Sequence, residues 1–196
     1  MIAPPGLRLI DVTQSAEKFL QKYHSSLTLP IPIEEIAELQ MNIAIAVVPG
    51  IKSLIGIDSF ISSNFTQITI DEKVYNIYPE RTRFSIAHEI GHYVLHYNWY
   101  KEYGPKNFED YLTFHERIDP QVYKYLEIQA QTFAGLILVP TTLLLREIKK
   151  RLGKLPSLEA PEILTPISQD LLEVFQVSGE VILRRLLKEK LVKLNS

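Results

Sequence analysis

Apolar and polar positions alternate at helical intervals near the start of the chain. Val12, Ala16, Phe19 and Leu20 share one face of a helix predicted over residues 11–23, and Pro30-Ile31-Pro32 breaks the chain after it. A short second helix is predicted over 33–40, with Glu34 and Glu35 in a first turn where the helix dipole favours carboxylates. The pattern then shifts to β-rich runs at 43–48, 54–61 and 66–70, separated by Pro49-Gly50 and Ser62-Ser63-Asn64. These predict a small antiparallel three-stranded sheet. The short third run, with Ile68 and Ile70 alternating, reads as an edge strand, the kind to which an extended peptide can add.

Helical spacing returns at Pro79, a first-turn proline, and the predicted helix continues to His96. Residues 97–119 are polar, broken by Gly104-Pro105 and crowded with Trp99, Tyr100, Tyr103, Phe108, Tyr111 and Phe114. They read as a long connection holding at most one helical turn, whose aromatics mainly pack it onto the body while some rim a cleft. Asp119-Pro120 is a cap followed by a first-turn proline, so a helix is predicted over 120–138, ended by Pro140. Another is predicted over 142–152, closed by Gly153. Three prolines make 155–166 a linker, and two helices follow over 168–175 and 179–191. The expected architecture is α+β: a small sheet packed on a helical body over 1–154, then a linker and helical tail over 155–196.

Composition narrows the chemistry. At 196 residues the chain suits one domain with a real core. A formal charge of −2 and a pI near 6.2 supply no general attraction to nucleic acid or an anionic membrane. With no cysteine, any metal site must be built from His, Asp or Glu. Prolines occupy the start where a signal peptide would have its apolar run, and no stretch is long enough to span a bilayer, so a cytoplasmic protein is expected.

Against this background one segment carries chemistry: His88-Glu89-Ile90-Gly91-His92. On a helix, residues four apart are offset by about 40° and about 6 Å along the axis, so both imidazoles can reach one metal ion. Glu89 lies about 100° round the helix, where it can take a proton from a metal-bound water. The flanking Phe84-Ser85-Ile86-Ala87 and Tyr93-Val94-Leu95 make the helix apolar, and polar groups buried in such a helix are costly without partners or a metal. A catalytic zinc usually takes three protein ligands. His96, one turn beyond His92, would spread three ligands along about 12 Å of one axis, which a tetrahedral site does not accommodate; it is expected to pack or hydrogen-bond near the helix end. The longer metzincin pattern fails at Leu95 and Asn98. Glu127, on a second helix where Ala130 and Ala134 permit close approach, is the preferred third ligand. Glu102, Glu109, Asp110, His115, Glu116 and Asp119 remain within range by sequence.

The segment Arg83 to His96, followed by Glu127-Ile128-Gln129-Ala130-Gln131-Thr132-Phe133-Ala134 and Leu138-Val139-Pro140, resembles the ImmA/IrrE family of zinc metallopeptidases. The likeness extends over roughly 30–140 and more loosely into the tail. It implies a zincin-like, gluzincin-type site in which His88, His92 and Glu127 bind zinc and Glu89 is the catalytic carboxylate. The family often has Asn or Asp where this chain has Gln131, so a role for Gln131 in orienting the histidines is weakened. The resemblance implies peptide-bond hydrolysis in a helix-turn-helix transcriptional repressor, relieving repression, for instance under stress. An oxyanion-stabilising group is also required; His115 and the tyrosines of 97–119 are the candidates.

Two other readings compete. The tail, from Asp170 through Ser178 to Arg184, Arg185, Lys188, Lys190 and Lys193, resembles a helix-turn-helix with Ser178 capping its second helix, which would make a DNA-binding regulator. Over 166–196, however, five basic residues oppose four acidic ones, thin for a phosphate-binding face, and packing onto the body or a partner protein is the preferred reading. The other is a toxin of a toxin–antitoxin pair, or a silent scaffold that keeps the metal for stability. Nothing in the sequence fixes an oligomeric state.

Overall fold

The longest helix carries the histidine motif, and the rest of the molecule is arranged around it. The structure is a computed structural model that describes residues 4–153 and 164–190. Helix α1 (Leu9–Tyr23) buries Val12, Ala16, Phe19 and Leu20, the face its periodicity predicts. Phe19 meets Phe133 edge-on with ring centroids 5.6 Å apart. The second helix spans the expected 33–40 but is not α-helical throughout. A single turn, α2 (Ile33–Glu35), passes into a π-helical turn (Ile36–Gln40) that closes with Met41 N–H donating to the Ile36 carbonyl.

The sheet is mixed, not wholly antiparallel, and its order is β1-β3-β2. Strand β1 (Ala44–Val48) runs parallel to β3 (Gln67–Asp71), with Ala44 opposite Gln67 and Val48 opposite Asp71. Strand β2 (Ser59–Ile61) pairs antiparallel with β3, with Ser59 opposite Ile70. The third run is therefore the central strand, and the edges are β1 and β2. Parallel neighbours need a crossover, and here the excursion through α3 (Ile51–Ile55) and β2 provides it. Helix α3 also shortens the expected 54–61 strand: Gly50 (φ 82°) and Gly56 (φ 77°) hold left-handed conformations on either side of a helical turn, so extension begins only at Ser59. The alternation that suggested a half-exposed edge misleads because Thr69, between Ile68 and Ile70, is buried as well.

Asp71 ends β3 and caps α4 (Glu72–Ile77), its carboxylate accepting from the backbone of Lys73, Val74 and Lys52. Helix α5 (Pro79–Tyr103) starts on its proline as expected, breaks at His96 (φ −120°, ψ 17°), and resumes to Tyr103. With α6 (Phe108–Phe114) and a 3-10 turn (His115–Arg117), most of the expected connection is helical. Its aromatics supply the driving force: Trp99, Tyr100, Tyr111 and Phe114 all enter the core.

Helix α7 (Pro120–Leu138) begins on the Asp119 cap, whose side chain accepts from Gln121 and Val122 N–H. It packs tightly on α5. A Cβ on Gly91 would sit 3.1 Å from both the Cα and the carbonyl oxygen of Ala130, so only glycine lets the backbones approach this closely. That contact sets the histidines of α5 beside Glu127, one turn before Ala130.

Helix α8 (Thr141–Leu152) ends on Gly153 in the left-handed region (φ 71°). Residues 155–163 of the expected linker lie outside the described residues, and 164–166 belong to α9 (Leu164–Phe175), which begins earlier than predicted. Helix α10 (Gly179–Lys188) ends before Leu191, which with Lys193 is outside the described residues. Ser178 occupies the cap position of α10 but makes no side-chain cap bond. Both tail helices feed Leu171, Phe175, Val181, Ile182 and Leu186 into the one hydrophobic core. Arg185, 3 % exposed, donates to the Val139 carbonyl, Thr141 and Glu189, while Arg184 pairs with Glu180 and Lys188 reaches Thr132. Among the described residues, no single helix is long and apolar enough to cross a membrane.

Candidate metal centre

On α5, His88 and His92 stand one turn apart, and their Nε2 atoms are 3.1 Å from each other. Glu127 of α7 completes a triangle, with Oε2 3.2 Å from His88 Nε2 and Oε1 3.2 Å from His92 Nε2. Donors about 2.0–2.1 Å from a tetrahedral zinc lie about 3.3 Å apart, and these separations, with each histidine meeting a different Glu127 oxygen, are close to the edge lengths of such a tetrahedron. Two imidazole nitrogens and one carboxylate oxygen form a common donor set for a catalytic zinc with an open fourth position. Among the described residues this is the cluster that could hold a metal ion.

The three groups shift one another's proton affinity. Burial disfavours the charged imidazole of His88, but the Glu127 carboxylate and its hydrogen bond, helped by Glu89, outweigh it and hold His88 up to about 9. Glu127 goes the other way: burial pushes its carboxyl up, but His88 and the hydrogen bonds from both histidines hold it well below the usual carboxylate range. The raised His88 and lowered Glu127 favour an imidazolium–carboxylate pair, so a cation taken up at His88 Nε2 would displace its proton.

Glu89 is 3 % exposed and outside the triangle, as its position on the helix predicts. Its Oε1 accepts from Ser59 Oγ at 2.7 Å. Ser59 is a site contact that the sequence did not suggest, because it comes from β2, thirty residues away in the chain. Both residues line a cavity of about 250 Å³, together with His88, His92, Glu127, Phe60, Arg81 and the tyrosines Tyr100, Tyr111 and Tyr123. The edge strand β2 is therefore one wall of this cavity.

Of the tyrosines considered as oxyanion donors, Tyr100 and Tyr111 reach the cavity. Tyr100 stacks on His92, centroids 4.7 Å apart. Tyr123 was missed, although its place one turn before Glu127 was a usable signal. Burial first, then the Glu127 carboxylate, raises the Tyr123 phenol well above its ordinary range; burial and Glu89 do the same for Tyr100. Both stay protonated, as hydrogen-bond donors must.

The rival third ligands are elsewhere. Asp119 caps α7, Asp110 binds Arg117 and the Lys106 N–H, and Glu102, Glu109 and Glu116 are exposed. The side chain of His115 lies outside what is described. Gln131 is exposed and meets Arg184 rather than a histidine. The polar neighbour behind the site is His96, whose Nδ1 lies 3.1 Å from His92 Nδ1 and whose Nε2 lies 2.8 Å from Gln129 Oε1. Burial, then the neighbouring His92, lowers His96 to about 3 despite the Gln129 bond, so its ring is neutral.

The family described as Peptidase_M78, the IrrE N-terminal-like domain, matches residues 75–187, which include the whole of α5 and α7. No curated protein matches the chain. Among solved structures, a Mycobacterium tuberculosis transcriptional regulator is similar, with a TM-score of 0.55 and 14 % identity over 90 % of this chain and 46 % of that one. At that identity the likeness concerns the fold, and the chain spans under half the length of the regulator.

Proposed function

We propose, from the premise that the chain belongs to the Peptidase_M78 family, that it is a zinc-dependent endopeptidase acting in the cytoplasm on a helix-turn-helix transcriptional repressor. The observation that carries the hydrolytic part is the triangle of His88, His92 and Glu127 with a separate buried carboxylate, Glu89, beside it. The repressor is the substrate class that the resemblance implies, and it suits a fold shared with a protein named a transcriptional regulator.

In this reading His88, His92 and Glu127 hold the zinc. When bound, the ion lowers the pKa of its water to about 7 and polarises the scissile carbonyl. Glu89 takes the proton of the attacking water and returns it to the leaving amine. Ser59, donating to Oε1, holds the carboxylate in one orientation while it does so. Tyr100, kept protonated by burial and lining the cavity, is the donor proposed for the oxyanion, while Tyr123 and Tyr111 hydrogen-bond each other beside it. An extended substrate backbone can lie along the edge strand β2, which borders the same cavity.

The test is Glu89→Gln. The variant should keep one zinc per chain and its melting temperature, yet lose cleavage of a co-expressed helix-turn-helix repressor by about 1,000-fold or more, in line with loss of a general acid–base group. Undiminished cleavage would sink the peptidase reading.

A further inference from the structure

We propose that His96 is a positioning residue: through a one-directional hydrogen-bond relay it fixes His92 in the tautomer that offers its Nε2 lone pair to the metal. This rests on the reading of His92 as a zinc ligand. His92 Nε2 faces His88 and Glu127, so as a ligand it must carry its proton on Nδ1. The partner of that Nδ1–H is His96 Nδ1 at 3.1 Å, which must then be a bare acceptor. The proton of His96 therefore sits on Nε2 and is donated to Gln129 Oε1 at 2.8 Å. With Oε1 accepting, the Gln129 amide nitrogen donates onward to the Leu7 carbonyl at 3.0 Å.

Every link has one donor and one acceptor, and the direction is set from the far end. A backbone carbonyl can only accept, so Leu7 orients the Gln129 amide, the amide selects the His96 tautomer, and His96 selects that of His92. His92 and His96 are each 1 % exposed and Gln129 4 %, so water does not compete for these bonds. The backbone of α5 also departs from helical geometry at His96, in the middle of an otherwise continuous helix. That kink accompanies the ring-to-ring contact, and it places the cost of an irregular helix at the residue which meets a ligand. His96 thus serves the site from behind, in the way that hydrogen-bond partners commonly orient metal-bound histidines.

Three proteins test the relay: the full chain, His96→Leu, which removes the acceptor, and His96→Asn, whose Oδ1 can stand where Nδ1 stood. Zinc dissociation constants come from chelator competition, and imidazole tautomers from long-range 15N–1H correlation on the unmodified chain. We expect His96→Leu to weaken zinc by about 10- to 100-fold, His96→Asn to recover most of the loss, and the unmodified chain to show His92 as the Nδ1–H and His96 as the Nε2–H tautomer. Equal affinities in all three, or an Nδ1–H on His96, overturn the relay while leaving zinc binding and the peptidase reading intact. Failure of the unmodified chain to bind zinc overturns both. Should His96→Leu not fold, the tautomers of the unmodified chain decide alone.

Discussion

Two groups of buried polar side chains sit within this fold, and they are satisfied in opposite ways. Arg83 donates to the carbonyls of Gln176 and Ile31, and Arg185 to the Val139 carbonyl, Thr141 and Glu189. In both, N–H groups point at oxygen, and the sets are complete as they stand. At the candidate metal centre His88 Nε2, His92 Nε2 and the Glu127 carboxylate converge at 3.1–3.2 Å, and once the histidines are neutral all three present lone pairs to one point. Protons can be shared among those atoms, but only a cation at their centre meets all three at once. Buried donors that find acceptors are structure, whereas buried groups whose lone pairs can converge are a candidate metal site.

The largest loss is expected at the converging atoms. His88→Ala, His92→Ala or Glu127→Ala should each weaken zinc by more than about 100-fold, above the usual cost of losing an outer hydrogen-bond partner. Metal content after dialysis against a mild chelator measures it. Full occupancy in Glu127→Ala would show that the third ligand is another residue, and the contrast drawn above would then describe an ordinary ion pair.

At the completed side the opposite split is expected. Arg185→Met keeps much of the volume but leaves the Val139 carbonyl and Thr141 without their donor, at a cost of about 2 kcal/mol. For a chain of this length that lowers the melting temperature by roughly 4–8 °C. Zinc affinity should not change. A loss of metal on this substitution would mean that the tail and the site are coupled, and that the arginine is more than a tie between α10 and the body. Such a tie already bears on the helix-turn-helix reading of the tail, because a guanidinium spent on Val139 and Glu189 is not presented to a phosphate.

What the sequence made legible follows the range of each interaction. The spacing of His88 and His92, the amphipathic face of α1 and the Asp119-Pro120 start of α7 are local, and each appears where its pattern predicts. Glu127 was reachable because Ala130 marked a close helix contact, although its partner in that contact, Gly91, was hidden inside the motif. The parallel pairing of β1 with β3 was not legible, since strand direction depends on a crossover that no single run encodes. The helical character of 97–117 was obscured because its aromatics face a core, which makes a polar, glycine-broken sequence helical through tertiary burial. The place of Gln129 was not legible for a similar reason: it and Gln131, two residues apart on a helix, face different directions, and only packing tells which is buried.

Glu89 does not belong wholly to either side of the comparison, and Ser59 is the reason. It is a buried carboxylate, yet one of its oxygens has a donor of its own in the Ser59 hydroxyl, supplied across the cleft by the edge strand. The hydroxyl determines which way that carboxylate faces. Ser59→Ala removes that hold without touching His88, His92 or Glu127. Zinc content and melting temperature should stay as they are, while kcat for repressor cleavage falls about 10-fold, equivalent to about 1.4 kcal/mol of transition-state stabilisation. KM should move little, because the bond orients a catalytic group and does not bind substrate. If kcat is unchanged, Glu89 is positioned by the helix alone; if KM rises instead, Ser59 acts as part of the substrate wall of β2, and its contact with Glu89 is a consequence of that placement.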